Sequence, residues 1–166
     1  MATLPAEWTN QDIVLYHGTV LQFVKEIEAG VRVALGKPRR DFGPGFYTTT
    51  RRIQAYAWAT RIAASKSAEP AVIQITVARD ALADLEAMSF VGGDLEADDY
   101  WSLVRHCRGG ALSHGRVGRQ QNYDVIYGPL SANWRYRLSF ASADQVSFHT
   151  EHAEAVLNRS ARERII

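Results

Sequence analysis

Disulfide bonding is the first thing this chain excludes. It carries one cysteine, Cys107, among 166 residues, so no internal disulfide can form, and a reducing compartment, the cytoplasm, is the expected location. No cysteine and histidine grouping has the spacing of a zinc site, and no metal is expected. Neither sign of charge is in excess. Nineteen basic residues against 18 acidic ones leave a formal net charge of +1, so the totals imply no overall attraction to nucleic acid or to an anionic membrane. No apolar run approaches the roughly 20 residues that cross a bilayer, and no membrane partner is expected. The N-terminal MATLPAEWTNQD lacks a basic stretch followed by an apolar one and is not expected to act as a secretory signal. Three familiar signatures are also missing: the phosphate-cradling G-x-x-x-x-G-K-[ST], a G-x-G-x-x-G between strand and helix, and the G-x-S-x-G of hydrolases.

What is present fits a single soluble globular domain over residues 1–166, with 46% hydrophobic and 22% charged residues. Residues 13–16 read as a short apolar strand. Thr19 and Gln22 have capping-box spacing, predicting a helix with Leu21, Val24 and Ile27 on one face and Gly30 as its stop. Residues 46–50, FYTTT, read as a strand after a glycine turn. Residues 51–66 read as an alanine-rich helix, with Ile53, Tyr56 or Ala57, Thr60 and Ala64 at helical spacing. A strand follows at 71–78, a short helical piece at 79–88, and a helix at 97–107. Residues 123–130 and 145–150 read as strands with an irregular segment over 131–144, and Thr150 is placed to cap a final helix. The elements do not alternate as regular βαβ units. The expected class is therefore α+β, with mixed, mostly antiparallel sheets.

The chemistry-bearing candidates cluster around DFGPGFYTTT, residues 41–50. Gly43-Pro44-Gly45 forms a bare turn, and Tyr47 follows it with an aromatic face suited to stacking on a planar ring. His17 ends an apolar strand and precedes Gly18, where a ligand can approach the backbone closely. Gln145 heads an apolar strand and can hold a ligand hydroxyl. Each also has an ordinary reading: a core-edge histidine, a core tyrosine, a surface glutamine. Asp41 and Tyr123-Asp124 read as turn residues, and His149 and His152 as surface histidines. Arg39, Arg40, Arg51 and Arg52 flank the glycine turn as a solvated face or as a diphosphate contact. Arg116 and Arg119 sit in a second basic loop that could meet nucleic acid.

In combination, LYHGT (15–19) and GPGFYTTT (43–50) resemble the paired motifs of the ADP-ribosyltransferase superfamily, whose poly(ADP-ribose) polymerase-like and diphtheria-toxin-like members place a later strand carrying a glutamate. With AYAWA, YDVIYGP and DQVSFHT, the chain is similar to a bacterial branch of His-Tyr-Gln type. The resemblance implies split mixed or antiparallel sheets with flanking helices around an NAD cleft. It implies His17, Tyr47 and Gln145 as the catalytic set, with His17, Gly18, Thr19, Gly45, Tyr47, Thr48, Thr49 and Tyr56 around the cofactor, and either Tyr56 or Trp58 as the other wall. NAD would serve as ADP-ribose donor without a metal, and a protein or nucleic acid would be the acceptor. An amide cannot act as a base near neutral pH, so single transfer rather than polymerisation is expected. Gln145→Glu would then retain or raise transfer. By analogy with small bacterial members, the chain would act as a toxin of a toxin–antitoxin or phage-defence system, with a cognate antitoxin as partner. The alternative is a catalytically silent NAD or ADP-ribose-binding module.

Overall fold

The computed structural model describes residues 11–117 and 120–166. Residues 1–10 of the stretch read for a signal, and Arg119, lie outside the described residues. Seven strands and five helices are described, arranged as two sheets with flanking helices. This is an α+β architecture, as the irregular order of elements predicts.

The first sheet is antiparallel and has β3 (Pro70–Val77) at its centre, with β1 (Ile13–Val20) on one side and β7 (Ala161–Arg164) on the other. The second sheet runs β2 (Phe46–Thr48), β6 (Leu138–Phe148), β5 (Val125–Asn133), β4 (Ala87–Ser89). Only the β4–β5 pairing is parallel. Among the described residues a single antiparallel bridge joins the sheets, where Tyr16 N–H donates to the Thr49 carbonyl (2.8 Å) and Thr49 N–H to that of Tyr16 (2.9 Å). Past that bridge the next link from β1 to β2 is through a side chain, His17 Nδ1 to the Tyr47 carbonyl at 2.7 Å. The main core lies between the sheets: Leu15, Ile73, Ile75 and Val77 meet Val125, Val146, Phe148 and the apolar face of α5 (Glu151–Arg159).

The five helices are α1 (Val24–Ala29), α2 (Arg52–Lys66), α3 (Arg79–Ala83), α4 (Asp98–Arg108) and α5. The Thr150 hydroxyl caps α5 by accepting from Ala153 N–H, as its position predicts. Thr19 caps nothing; it is buried inside β1, and α1 follows a 3-10 turn instead. Helix α2 turns a different face inward from the one its larger residues suggest. Ala55, Ala59 and Ala63 are buried, whereas Ile53 is 84% exposed. Gly18 gives the reason. A Cβ there would lie 2.1 Å from the Ala55 carbonyl oxygen and 3.0 Å from the Ala59 nitrogen. The helix backbone rests directly on β1, so only small residues fit between them. The segment 131–144, expected to be irregular, closes a β5–β6 hairpin through a 3-10 turn at Trp134–Tyr136.

Candidate functional site

The edge of β1 that faces β2 brings His17 and Gly18 beside the Tyr47 backbone. Strand periodicity dictates which backbone groups line it, because residues two apart on a strand point their N–H and C=O to the same neighbour. Tyr16 points both groups at Thr49 on β2, so Gly18 points its own to the same side. The register of β3 agrees. Val72, opposite Gly18, directs its N–H and C=O away to the C-terminal segment, donating to the Ile166 carbonyl and accepting from Ile165 N–H. Gly18 therefore directs one donor and one acceptor toward β2, past the Tyr16–Thr49 bridge.

His17 stands beside it, half-buried and stacked on Phe46 with ring centroids 4.3 Å apart. Its Nδ1 lies 2.7 Å from the Tyr47 carbonyl oxygen. A carbonyl only accepts, so Nδ1 carries the proton and donates, which leaves Nε2 as an acceptor in the neutral ring. Burial pushes the His17 pKa down, against the opposing effect of the Tyr47 hydrogen bond, so the neutral tautomer is the working form at neutral pH.

Gln145 is fixed just as firmly. Its Nε2 donates to Asp41 Oδ2 and to the Pro129 carbonyl, each at 2.9 Å. Both partners can only accept, which settles the orientation of the amide and leaves Oε1 as the atom Gln145 can offer to a ligand hydroxyl. Asp41 lies in a turn, as its loop position predicts, and its buried carboxylate is also an anchor. It accepts from Arg108 Nε (2.7 Å), Ser131 N–H (2.9 Å) and Ser131 Oγ–H (2.7 Å) as well as from Gln145. It thereby pins the loop before β2 to α4, β5 and β6 together.

Tyr47 is held by its hydroxyl, which donates to the Gly43 carbonyl (2.7 Å) and accepts from Phe42 N–H (3.1 Å). Burial raises its pKa well above the ordinary tyrosine range. Its position opposite Ser147 puts it on the Gln145 face of the sheet, whereas the His17 ring packs on Phe46, across the strand. The arrangement thus joins His17 to the Tyr47 backbone, not to its ring.

Several expected cofactor contacts are used internally. Thr48 Oγ1 donates to the Val146 carbonyl (2.9 Å) and Thr49 Oγ1 to Asp144 Oδ1 (2.6 Å); the Thr50 hydroxyl also reaches Asp144. The row of threonines stitches β2 to β6. Gly45 is bare because a Cβ there would lie 2.6 Å from both His149 Nδ1 and the Phe148 carbonyl oxygen, so its glycine serves loop packing. Thr19 is buried, and Tyr56 is 44% exposed on a flank of α2 away from Ala55.

His149, read from sequence as a surface residue, is buried. Its Nδ1–H donates to the Pro44 carbonyl (2.7 Å), and its Nε2 pairs with Ser147 Oγ (2.8 Å). His114, which the sequence reading missed, donates from Nε2 to the Phe42 carbonyl (3.0 Å) and accepts from Tyr123 N–H (2.9 Å). Three successive carbonyls, those of Phe42, Gly43 and Pro44, are thus each held by one side chain: His114, Tyr47 and His149. Nothing in local sequence marks His114, which lies 72 residues from its partner Phe42. His152 does stand at the surface, 3.5 Å from Asp124. Asp124 is itself buried and accepts from Glu86 N–H (2.8 Å) and the Thr150 hydroxyl. Among the described residues no group of histidine, cysteine and carboxylate is placed to hold a metal ion, and no helix is long and apolar enough to cross a membrane.

No curated protein matches the chain. A family model described as "Protein of unknown function (DUF3990)" matches residues 13–141, a span that contains β1, the glycine turn, Tyr47 and α2 and ends four residues before Gln145. The match covers most of the chain, which therefore belongs to the DUF3990 family.

Proposed function

We propose that this protein is an NAD-dependent mono-ADP-ribosyltransferase that modifies a macromolecule, and that the edge of β1 facing β2 takes the nicotinamide end of NAD. The observation that carries the reading is the polar character of that edge: one N–H and one C=O from Gly18, beside a neutral imidazole whose Nε2 is an acceptor. A carboxamide needs one acceptor for its N–H and one donor for its oxygen, and the Gly18 edge supplies both. His17 Nε2 can accept from a ribose hydroxyl. Gln145 Oε1 can accept from the hydroxyl of the second ribose, the part assigned to a glutamate by the resemblance.

The reaction would be substitution at the ribose carbon that bears nicotinamide. The bond to the nicotinamide nitrogen breaks and takes its electron pair, cancelling the positive charge of the ring. A nucleophile on the acceptor forms the new bond and gives up its proton. The transition state is cationic at the ribose, so acceptors fixed beforehand around its hydroxyls stabilise it without rearranging. Gln145 cannot take the proton, so the acceptor must be a nucleophile that is readily deprotonated. A toxin role, with an antitoxin as partner, remains part of this reading by analogy alone.

One observation favours a silent NAD-binding module instead. Both Gln145 N–H groups are tied inward, and the remaining amide oxygen accepts a hydrogen bond but cannot take up a proton near neutral pH. Incubation with radiolabelled NAD in a cell lysate separates the two. The transferase releases nicotinamide and labels a macromolecule, and His17→Ala lowers both rates at least tenfold, the order expected when a buried hydrogen bond of about 1–3 kcal/mol is lost. The module binds NAD and does neither.

A further inference from the structure

We infer that the flank of α2 beside the proposed cleft docks a nucleic-acid strand through its phosphates, and that this strand is the acceptor; the docking stands by itself, and the acceptor role rests on the transferase reading. The chain totals conceal the charge that supports this. Residues 37–66 contain seven cationic residues and one acidic residue, Asp41, within a protein of net charge +1. Asp41 is buried and paired with Arg108, so it does not neutralise the surface.

The fold gathers three of these cations, Arg40, Arg51 and Arg61, along one stripe. Arg51, Gln54, Trp58 and Arg61 follow one another at helical spacing along α2 and its N-terminal edge. Across from them, the Arg40 guanidinium lies 5.7 Å from the centre of the Trp58 ring, and that of Arg61 lies 5.6 Å from it. Trp58 remains 38% exposed. Two guanidinium groups held over one indole give up little further freedom on binding, and their N–H edges suit phosphate oxygens in pairs. Neither forms an ion pair among the described residues, while Arg51 lies 3.8 Å from Asp144 Oδ2.

The stripe adjoins the cleft. Gln54 Nε2 donates to the Asp144 carbonyl, one residue before Gln145, and Arg40 directly precedes Asp41, which holds the Gln145 amide. A strand lying on the stripe would bring its sugars and bases to the ribose carbon where transfer occurs. A folded protein partner fits less well. Such an interface needs a desolvated apolar centre, and the apolar side chain of this stripe is a tryptophan beneath two cations. Polyanion binding needs the point charges alone.

The test is fluorescence anisotropy with labelled mixed-sequence 12-mers of single-stranded DNA and RNA, without NAD, on wild type, Arg61→Gln, Trp58→Ala and His17→Ala, each checked for folding by circular dichroism. We expect saturable binding that weakens with salt. Arg61→Gln should reduce the log–log salt slope by about 0.7, the share of one phosphate contact on a single strand. Trp58→Ala, which removes the ring that holds both guanidiniums in place, should weaken binding several-fold, and His17→Ala should bind as wild type does. Absence of binding at low salt overturns the inference, as does binding that Arg61→Gln and Trp58→Ala leave unchanged. Equal displacement of the oligomer by NAD and by polyglutamate would also overturn it, showing a diphosphate pocket or an unselective cationic face. Nicotinamide release, measured separately, decides the transferase reading whichever way the docking result falls.

Discussion

Gln145 shows how a single side chain can be constrained from a distance that sequence does not reveal. Its amide donates to Asp41, 104 residues earlier in the chain, and to Pro129. Sequence identified the residue and its strand, but not that both N–H groups are committed. The expectation that glutamate would serve as well, or better, rests on the carboxylate's stronger hydrogen bonds. The geometry reverses it. In Gln145→Glu a carboxylate oxygen would face the Asp41 carboxylate and the Pro129 carbonyl, three acceptors with no donor between them. The cost is about 1–3 kcal/mol for groups left unpaired in the interior, and more with the charge repulsion. Burial and Asp41 would raise the pKa of the new carboxyl, so the folded state would hold its proton to higher pH than the unfolded state. The penalty therefore grows as pH rises. Urea unfolding should show Gln145→Glu less stable than wild type, with a larger deficit at pH 8 than at pH 5, and nicotinamide release below that of wild type. Equal urea midpoints at pH 8 would contradict this account of the amide.

At the scale of elements, the loop Asp41–Gly45 combines its own turn, closed by Gly43 N–H to the Arg40 carbonyl with Gly43 at positive φ, with clamps from distant side chains. His114, Tyr47 and His149 take its three successive carbonyls, and the two imidazole centroids lie 4.6 Å apart. Burial pushes the His149 pKa down to about 3, with His114 adding to the effect, and burial pushes His114 below its ordinary value too. A histidine held neutral in the fold binds fewer protons than its unfolded counterpart below the ordinary value of 6.5. Stability from the clamp is therefore complete above that pH and is lost as pH falls toward about 3. Each such histidine contributes a slope of up to about 1.4 kcal/mol per pH unit within the window. The urea midpoint of wild type should fall between pH 7 and pH 5, and His149→Gln, which keeps a donor but does not titrate, should fall less steeply. Identical slopes would remove His149 from the explanation. The sequence made the long elements legible: β1, β3, α2, α4 and the Thr150-capped α5 stand where periodicity and caps put them. It missed β4 and β7, which are only three and four residues long, because their strand character comes from pairing with neighbours. It also assigned the wrong face to α2. Bulky residues usually mark the buried side of a helix, and here the backbone contact at Gly18 leaves room only for alanine.

At the scale of the whole molecule, two sheets share a core yet meet, among the described residues, through one backbone bridge, Tyr16 to Thr49. The polar edge of β1 past that bridge is what the proposed function depends on. The motif pair falls at this edge, where residue parity sends the Gly18 backbone toward β2 and the hydrogen bond to Tyr47 fixes the His17 tautomer. Sequence overassigned the neighbouring residues, since hydroxyls and glycines that suit a ligand suit strand stitching and close packing equally well. The most direct measurement is a ¹H–¹⁵N correlation titration of the labelled protein with NAD. The account predicts a saturable shift of the Gly18 amide, among the largest in the spectrum, with the ring signals of His17 moving at the same midpoint. Gly18 and His17 signals that stay in place at millimolar NAD would contradict it.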